Sequence, residues 1–456
     1  MANILLILFL FGFINFGNAT PTTHNQDKTD KEQQYCVPNI EQDPQILLEQ
    51  SLDAKDWALS NGLVKFVDVP TCPECGKKTK KIMTQFLPLS LYPSPFPRKL
   101  FHQAVDVHKA MLLLYFRASC DYEFLKEAHR EVLNSELDNG IKKLVKRLDG
   151  MLSDGIRQPV AMFCQRADYM ASQEDDGQYV LKQVEVNTGA IGSFGTTPRF
   201  SRLHRRMISN AGIDASESVM PVDQTDTMAA ETLYQAWLEF GNAEAVILFL
   251  HGSPNSHLML ESRQITHQLE SISTERIKCR FITITEGLNR LKRDPNNFSL
   301  ILDDKFVVAV VFDRLGWAIG KDEDLTEDII KKATENPHRY VLKNNGCSSN
   351  ADMFFNEDIP KKLKTMAPAD RDFYYLTEKL RPMVIKNHFV RPNMAPTLNL
   401  DATPELGIFG CLLGNMETGK VSYFSRTGHM MKSKLANVDE GGVWKGFSVY
   451  DSPYLV

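Results

Sequence analysis

The chain has few features that would tie it to nucleic acid or to a disulfide framework. Its formal net charge is -5 over 456 residues, and no basic cluster is dense enough for a nucleic-acid surface. Eight cysteines are too few for a disulfide scaffold in a chain of this length. Cys72-Pro73-Glu74-Cys75 is the only CxxC motif, and without a second pair it does not predict a zinc site. A local disulfide and two free thiols both remain open there, and the other six cysteines are scattered.

The N-terminal segment carries the strongest compositional signal. An almost unbroken apolar run covers residues 4–16, which is too short to cross a bilayer. Gly17-Asn18-Ala19 then supplies the small residues of a signal-peptidase site. We expect a signal peptide over residues 1–19, a disordered leader over 20–34, and a secreted mature protein that does not span a membrane. Only the terminal amine precedes the apolar run, so a short membrane anchor is the alternative.

The stretch from Lys182 to Gly195 has the clearest chemical pattern. Strand periodicity over residues 179–187 puts Glu185 and Asn187 on one face, and a turn with three glycines follows. A carboxylate beside an amide oxygen suits Mg2+, and exposed glycine N–H groups suit an anionic ligand. The alternative is the polar outer face of an ordinary antiparallel strand, followed by a glycine loop.

A change of pattern after residue 240 predicts a separate structural unit. Three short apolar runs cover residues 245–250, 280–285 and 306–312, with a helical pattern between the first two. Continuous apolar strands that alternate with helices are typical of a parallel sheet covered on both faces. We therefore predict an α/β fold with a small doubly wound parallel-sheet subdomain over residues 241–320.

Seven segments occur in the order found in one protein family. They are Gln165-Arg166-Ala167-Asp168-Tyr169-Met170, Gln183-Val184-Glu185-Val186-Asn187-Thr188, Arg339-Tyr340-Val341-Leu342-Lys343, Glu405-Leu406-Gly407-Ile408-Phe409-Gly410, Gly428-His429 with Lys434, Gly441-Gly442-Val443, and Asp451-Ser452-Pro453-Tyr454-Leu455-Val456. Together they resemble eukaryotic glutathione synthetase, a member of the ATP-grasp superfamily. The resemblance implies an α+β ATP-grasp fold and a homodimer. Residues 35–240 would form the N-terminal part of the main domain, and 321–456 the lid and the C-terminal part.

The resemblance also implies an ATP-dependent ligase. In the family, ATP phosphorylates the C-terminal carboxylate of gamma-glutamylcysteine. The glycine amine then attacks the acyl phosphate to give glutathione, ADP and phosphate. The implied cofactors are ATP and Mg2+, and the implied partners are two small-molecule substrates, a gamma-glutamyl peptide and an amino acid.

The same resemblance assigns individual residues to roles. The Mg2+ ligands would be Glu185 and Asn187. The ATP-binding residues would be Glu185, Lys343, Glu378, Lys379, Glu405, Lys434 and Glu440. The catalytic residues would be Arg166, Arg314 and Lys432. The substrate-binding residues would be Arg166, Ser193, Arg314, Lys432, Val443 and Trp444. Taken singly, each lysine or arginine would be interpreted as a solvated surface charge, so their joint placement carries the assignment.

The chain also departs from the family pattern. Cys347 stands where a loop glutamate would complete the metal site, and thiol sulfur is a poor Mg2+ ligand. The bridge over residues 318–338 is short where the family has a long helical segment. Lys432 replaces an arginine that clamps a substrate carboxylate, and lysine cannot form a bidentate clamp. Trp444 replaces a small residue. Two polar substrate contacts of the family align with Leu258 and Ser262.

Two hypotheses follow from these retained and altered residues. The first is a carboxylate-amine ligase with glutathione as the default product and an altered substrate. The second is a secreted, non-catalytic effector or binding protein that retains the fold. The signal peptide makes the chain similar to the glutathione-synthetase-like effectors that plant-parasitic nematodes deliver to their hosts.

Overall fold

The computed structural model describes most of the chain after residue 43. The described residues are 37, 40, 43–70, 80–128, 130, 133, 140–189, 191–273, 277–314, 327–344, 353–367, 371 and 374–456. The expected signal peptide and leader, the CxxC motif and Cys347 lie outside them, as does the first part of the bridge over residues 318–338. No helix in the described ranges combines the length and apolar character needed to cross a membrane.

Helices and strands contribute comparable shares of the described chain. The helices are α1 (Pro44–Ser60), α2 (Arg98–Cys120), α3 (Tyr122–Ala128), α4 (Gly140–Asp154), α5 (Thr197–Asn210), α6 (Thr225–Phe240), α7 (His257–Ile272), α8 (Ile284–Arg290), α9 (Glu327–Glu335) and α10 (Asp358–Thr365). The strands are β1 (Val64–Pro70), β2 (Lys80–Phe86), β3 (Leu89–Ser90), β4 (Ser94–Phe96), β5 (Val160–Gln173), β6 (Tyr179–Asn187), β7 (Val246–His251), β8 (Cys279–Thr283), β9 (Leu291–Arg293), β10 (Leu300–Leu302), β11 (Phe306–Arg314), β12 (Tyr340–Asn344), β13 (Met353–Phe355), β14 (Tyr374–Glu378), β15 (Ile385–Val390), β16 (Thr397–Asn415), β17 (Val421–Phe424), β18 (Gly428–Leu435), β19 (Ser448–Asp451) and β20 (Pro453–Leu455).

The largest sheet has the strand order β15-β3-β19-β18-β16-β5-β6, with β17 paired to β16. Helix α2 packs on this sheet at two glycines of β16. A Cβ on Gly410 would lie 2.6 Å from the Nε2 atom of His108, and one on Gly414 would overlap the ring of Phe116. The glycines therefore let the helix come close to the strand, and the interface buries apolar side chains such as Phe163.

Residues 246–314 contain a mixed sheet, in which the apolar runs predicted the parallel strands and the short strands β10 and β9 add antiparallel pairs. Its order is β8-β7-β11-β10-β9, with β7 parallel to both β8 and β11. Every residue of β7 is buried. Ile247 and Phe249 belong to one apolar cluster, whereas Val246 and Leu248 belong to another. Both faces of the strand are therefore covered, as expected from a run without polar alternation. The domain limits given above stay a prediction.

A third sheet, of order β13-β12-β14, is antiparallel. It has a small core of its own, in which Leu342, Ile359 and Tyr374 pack together with Ala333 of α9 and Leu363 of α10. This sheet carries Lys343 on β12 and Glu378 at the end of β14. It lies where the resemblance places the ATP lid.

Cys164 and Cys411 form a disulfide between β5 and β16. The two residues are direct partners in the strand register. These cysteines are scattered along the sequence, which gave no indication that this pair is bonded. A sequence separation of 247 residues hides their adjacency in the sheet. Of the described cysteines, Cys120 and Cys279 are free.

Candidate active site

Four neighbouring strands, β6, β5, β16 and β18, bring charged side chains together. Asp168 pairs with Glu185 across β5 and β6, and Glu405 pairs with Lys432 across β16 and β18. Gly407 of β16 lies opposite Asp168. A Cβ on this glycine would lie 2.7 Å from the Oδ1 atom of Asp168. Glycine at this position therefore leaves room for the carboxylate.

These four side chains and Arg166 form one network of ion pairs. Arg166 donates from Nε to Asp168 Oδ1 at 2.7 Å and from a terminal nitrogen to Asp168 Oδ2 at 2.8 Å. The Nζ atom of Lys432 lies 2.8 Å from Glu405 Oε1 and 3.3 Å from Asp168 Oδ2. It also lies 3.8 Å from Glu185 Oε1. The Lys432 and Arg166 side chains are only 14% and 12% exposed, so water screens these contacts weakly.

The network shifts the pKa values of its members. Burial alone would raise the pKa of Asp168, but Arg166 and Lys432 lower it to about 2. Burial would lower the pKa of Lys432, but Glu405 and the other carboxylates raise it above its ordinary value. The pKa of Glu405 is raised, chiefly by burial, although Lys432 opposes the shift. Asp168 and Lys432 are therefore both charged at neutral pH.

Three carboxylates in the network offer oxygens that could hold a cation. Ligand oxygens of Asp168, Glu185 and Glu405 lie within 4.8 Å of one another. Carboxylate oxygen is the donor that Mg2+ prefers, so this set fits the ion. Asn187 lies beside it and donates from Nδ2 to Glu185 Oε1 at 3.2 Å and to Asp168 Oδ2 at 3.3 Å. Glu185 is one of the two predicted ligands, and the ammonium of Lys432 lies among the three carboxylates.

Two predicted ATP lysines meet at one residue, Asp439. Lys434 of β18 donates to the backbone carbonyl of Asp439. Lys379, next after β14 of the third sheet, lies 3.1 Å from the Asp439 Oδ1 atom. Asp439 therefore connects the third sheet to the largest sheet. Burial lowers the pKa of Lys434, which weakens its preference for the charged form while no anion is bound.

The other predicted nucleotide contacts are less enclosed. Lys343 lies on β12, with its Nζ atom 6.0 Å from the ring centre of Tyr375. Glu378 is exposed and lies 3.8 Å from a guanidinium nitrogen of Arg339. Glu440 is half-buried in the segment after β18. These residues lie on the third sheet or in the segment after β18, and their contacts with ATP stay a prediction.

The predicted substrate residues Arg314 and Ser193 meet at Glu261. Arg314 is 2% exposed and donates to the Ile191 carbonyl at 2.7 Å and to Glu261 Oε2 at 3.2 Å. The backbone N–H of Ser193 donates to the same Glu261 oxygen at 2.7 Å, and its hydroxyl lies 3.0 Å from the Tyr450 hydroxyl. Ser193 has a φ of +82°, which is rare outside glycine. Glu261 therefore fixes the loop that follows β6.

Val443 and Trp444 lie at the outer side of this loop. Val443 is buried, whereas Trp444 is 42% exposed. The Trp444 ring stacks on His257 with centroids 3.8 Å apart, and Lys65 Nζ lies 5.7 Å from the Trp444 ring. His257 begins α7, whose next residue, Leu258, would lie 3.7 Å from a Cβ on Gly192. The stack therefore borders the loop that carries Ser193.

Three charged members of the site, Asp168, Glu261 and Asp439, were not among the residues predicted from the sequence. A strand period could have revealed Asp168, because it follows Arg166 by two residues and shares its face. Helix spacing could have revealed Glu261, which lies three residues after Leu258 and four before Ile265. No comparable signal marks Asp439, which lies in the irregular segment after β18.

Comparisons with known proteins agree with this geometry. Residues 45–455 match the family model described as eukaryotic glutathione synthase, ATP binding domain, and the mixed sheets and helices confirm the α/β ATP-grasp class. The chain is 24% identical to glutathione synthetase of Dictyostelium discoideum over 90% of this chain and 98% of that protein. It is also 24% identical to glutathione synthetase of Homo sapiens, over 91% of this chain and 98% of that protein. A solved structure of a glutathione synthetase like-effector from Globodera pallida, in apo form, is 76% identical, with a TM-score of 0.76 over 93% of this chain and all of that one. This chain belongs to the eukaryotic glutathione synthetase family.

Proposed function

We propose that this chain is an ADP-forming ligase that joins the carboxylate of a gamma-glutamyl dipeptide to an amine. The γ-phosphoryl group of ATP passes to the carboxylate and ADP leaves. The amine nitrogen then bonds to the acyl carbon as phosphate leaves, and the amine loses a proton. Gamma-glutamylcysteine and glycine are the default pair.

One observation carries this proposal. Strands β6, β5, β16 and β18 hold three carboxylates and three cationic side chains on one surface. Asp439, in the segment after β18, joins the third sheet to this surface through Lys379. Phosphoryl transfer needs fixed positive charge around a polyanion more than it needs covalent chemistry by the protein. Arg166, Lys343, Lys379 and Lys434 supply that charge.

The carboxylates have the complementary role. Glu185, Asp168 and Glu405, with Asn187 beside them, would hold Mg2+. When bound, the ion would neutralise charge on the phosphates of ATP. Arg166 is held by two hydrogen bonds to Asp168, so its guanidinium is positioned before an acyl phosphate forms.

We propose that the amine substrate differs from glycine. The Trp444 and His257 rings stack beside the loop that carries Ser193, where the family has a small residue in place of Trp444. A large aromatic surface at this point favours an acceptor with apolar or planar groups over glycine, which has no side chain to bury.

Two substitutions test the ligase proposal. Glu185→Ala and Lys434→Ala should each lower Mg-ATP-dependent ADP release by about a hundredfold or more, since each removes a fixed charge at the phosphates. Matched controls are Glu244→Ala and Lys386→Ala, whose side chains are 83% and 67% exposed. Unchanged ADP release in either site variant would contradict the proposed site.

The second candidate is a secreted effector that retains the fold without turnover. It is favoured by the 76% identity to a glutathione synthetase like-effector and by Cys347 in place of the loop glutamate. On this proposal the signal peptide is removed after Ala19 and the mature chain acts outside the cell that makes it, in a host. N-terminal sequencing of exported protein tests the cleavage. Binding of ATP with no ADP from any substrate pair would favour this candidate.

We also propose, from the family resemblance, that the chain forms a homodimer. Analytical ultracentrifugation, which measures the mass in solution, tests this proposal.

A further inference from the structure

Lys432 lies where a divalent cation would have to lie. Its Nζ atom is 2.8 Å from Glu405 Oε1, 3.3 Å from Asp168 Oδ2 and 3.8 Å from Glu185 Oε1. The same three carboxylates are the group whose oxygens lie within 4.8 Å of one another. The ammonium is therefore bound by the donor set that fits Mg2+.

We infer that Lys432 is an internal competitor of the divalent cation, so that these carboxylates do not bind a free metal ion until the lysine leaves them. The inference rests on the proposed function, which makes these carboxylates the Mg2+ site. It goes further because it states that Lys432 fills this site when no substrate is bound. An ammonium is a compact charge with three donors and no acceptor. It can therefore satisfy several carboxylates but cannot act as a ligand to a metal.

Size and charge both oppose the binding of a divalent cation while the Lys432 ammonium contacts the carboxylates. Mg2+ binds oxygen at about 2.0–2.1 Å, so an ion shared by these carboxylates would occupy the space that the Lys432 ammonium now fills. Asp168, Glu185 and Glu405 contribute three negative charges, and Arg166 and Lys432 contribute two positive ones. The network is thus within one charge of neutrality, and an added dication would face two fixed cations at short range.

The hydrogen bonds of Asn187 support the same interpretation. Its Nδ2 group donates to both Glu185 and Asp168, so the amide presents hydrogen to the carboxylates here. A metal ligand would present the amide oxygen instead. The side chains around Lys432 are arranged to neutralise carboxylates, and the predicted ligand Asn187 takes part in that arrangement.

Mn2+ binding to the purified mature chain without nucleotide tests the inference, by electron paramagnetic resonance of free Mn2+ or by calorimetry. Lys432→Met should bind Mn2+ at least about tenfold more tightly than the wild type, because a positive charge next to the ion is removed. Lys432→Arg keeps the charge and should bind as weakly as the wild type. Lys386→Met is the control, since Lys386 pairs with Asp401 on the surface, away from these carboxylates. Adding Glu185→Gln to Lys432→Met should remove the gain.

Equal or weaker Mn2+ affinity in Lys432→Met, or a gain that survives Glu185→Gln, would overturn the inference. If Lys432→Met does not fold, the single variant Glu185→Gln, made in the wild-type chain, tests the inference instead. It should bind Mn2+ with the same affinity as the wild type, because Lys432 already keeps the ion away from Glu185. A wild-type affinity that falls about tenfold or more on that substitution would show that Lys432 does not exclude the ion. None of these measurements uses ADP release. The ligase proposal and this inference can therefore fail independently of each other.

Discussion

Removal of the Arg314 guanidinium should be among the most damaging single changes in this chain. Arg314 and Glu261 have side chains 1% and 5% exposed and lie 3.2 Å apart. Arg314→Met would leave the Glu261 carboxylate buried, with only the hydrogen bonds from the Ser193 N–H and the Thr196 hydroxyl. Breaking a buried pair by removing one partner costs about 3–5 kcal/mol of unfolding free energy. We expect a loss of that size at pH 7.5.

The loss should depend on pH in a defined direction. Burial raises the pKa of Glu261, and Arg314 opposes that shift. Without Arg314 the folded-state pKa rises further above the unfolded value of about 4.3. Between those two values the folded variant binds more protons than the unfolded chain, so its stability increases as the pH falls. The penalty of Arg314→Met should therefore be smaller at pH 5 than at pH 7.5.

Urea unfolding of the wild type and variants at both pH values is the assay. Arg290→Met is the control, because Arg290 pairs with Asp303 on the surface with both side chains more than a third exposed, and such pairs contribute about 1 kcal/mol or less. Arg314→Met combined with Glu261→Gln should recover part of the loss at pH 7.5, since no buried charge remains. Two results would refute the role given to the Arg314–Glu261 pair. One is a loss of unfolding free energy in Arg314→Met no larger than that in Arg290→Met, and the other is a loss that is the same at pH 5 as at pH 7.5.

Two further predictions concern packing and selectivity. Gly414→Ala would place a Cβ into the ring of Phe116 and should lower stability by about 1–3 kcal/mol. Gly150→Ala in α4 has nothing within 4 Å of the new Cβ and should raise stability by up to about 1 kcal/mol. Thermal melts test both: a higher melting temperature for Gly414→Ala, or a lower one for Gly150→Ala, would contradict the corresponding prediction. Trp444→Ala removes the stack on His257 and should change which amines support ADP release with Mg-ATP. An unchanged preference across an amine panel would exclude Trp444 as a selectivity residue.

Sequence patterns predicted the local structure well. The strand expected over residues 179–187 is β6, and the apolar runs at 245–250, 280–285 and 306–312 coincide with β7, β8 and β11 to within two residues. These elements have strong periods or continuous apolar composition, so each can be identified from a short window. The motifs also named Arg166, Glu185, Glu405 and Lys432 of the ion-pair network, but they gave no role to Asp168, Glu261 or Asp439.

Long-range register could not be read from the sequence. The pairing of β5 with β16 brings Cys164 to Cys411 and Asp168 to Gly407, although each pair is separated by more than 200 residues. A register irregularity between Asp168 and Tyr169 further shifts β5 against β6. For the same reason the sequence indicated Lys432 as a substrate contact but not its place among three carboxylates. Only the relative alignment of four strands determines that contact.

ADP release by the purified chain, produced from Thr20 onward, tests the central claim most directly. The protein is mixed with Mg-ATP and a matrix of gamma-glutamyl dipeptides and amines that includes gamma-glutamylcysteine with glycine. We predict ADP formation that requires both a dipeptide and an amine, with at least one pair used better than the default pair. ATP binding without ADP from any pair would contradict the ligase proposal and favour a binding protein with the same fold.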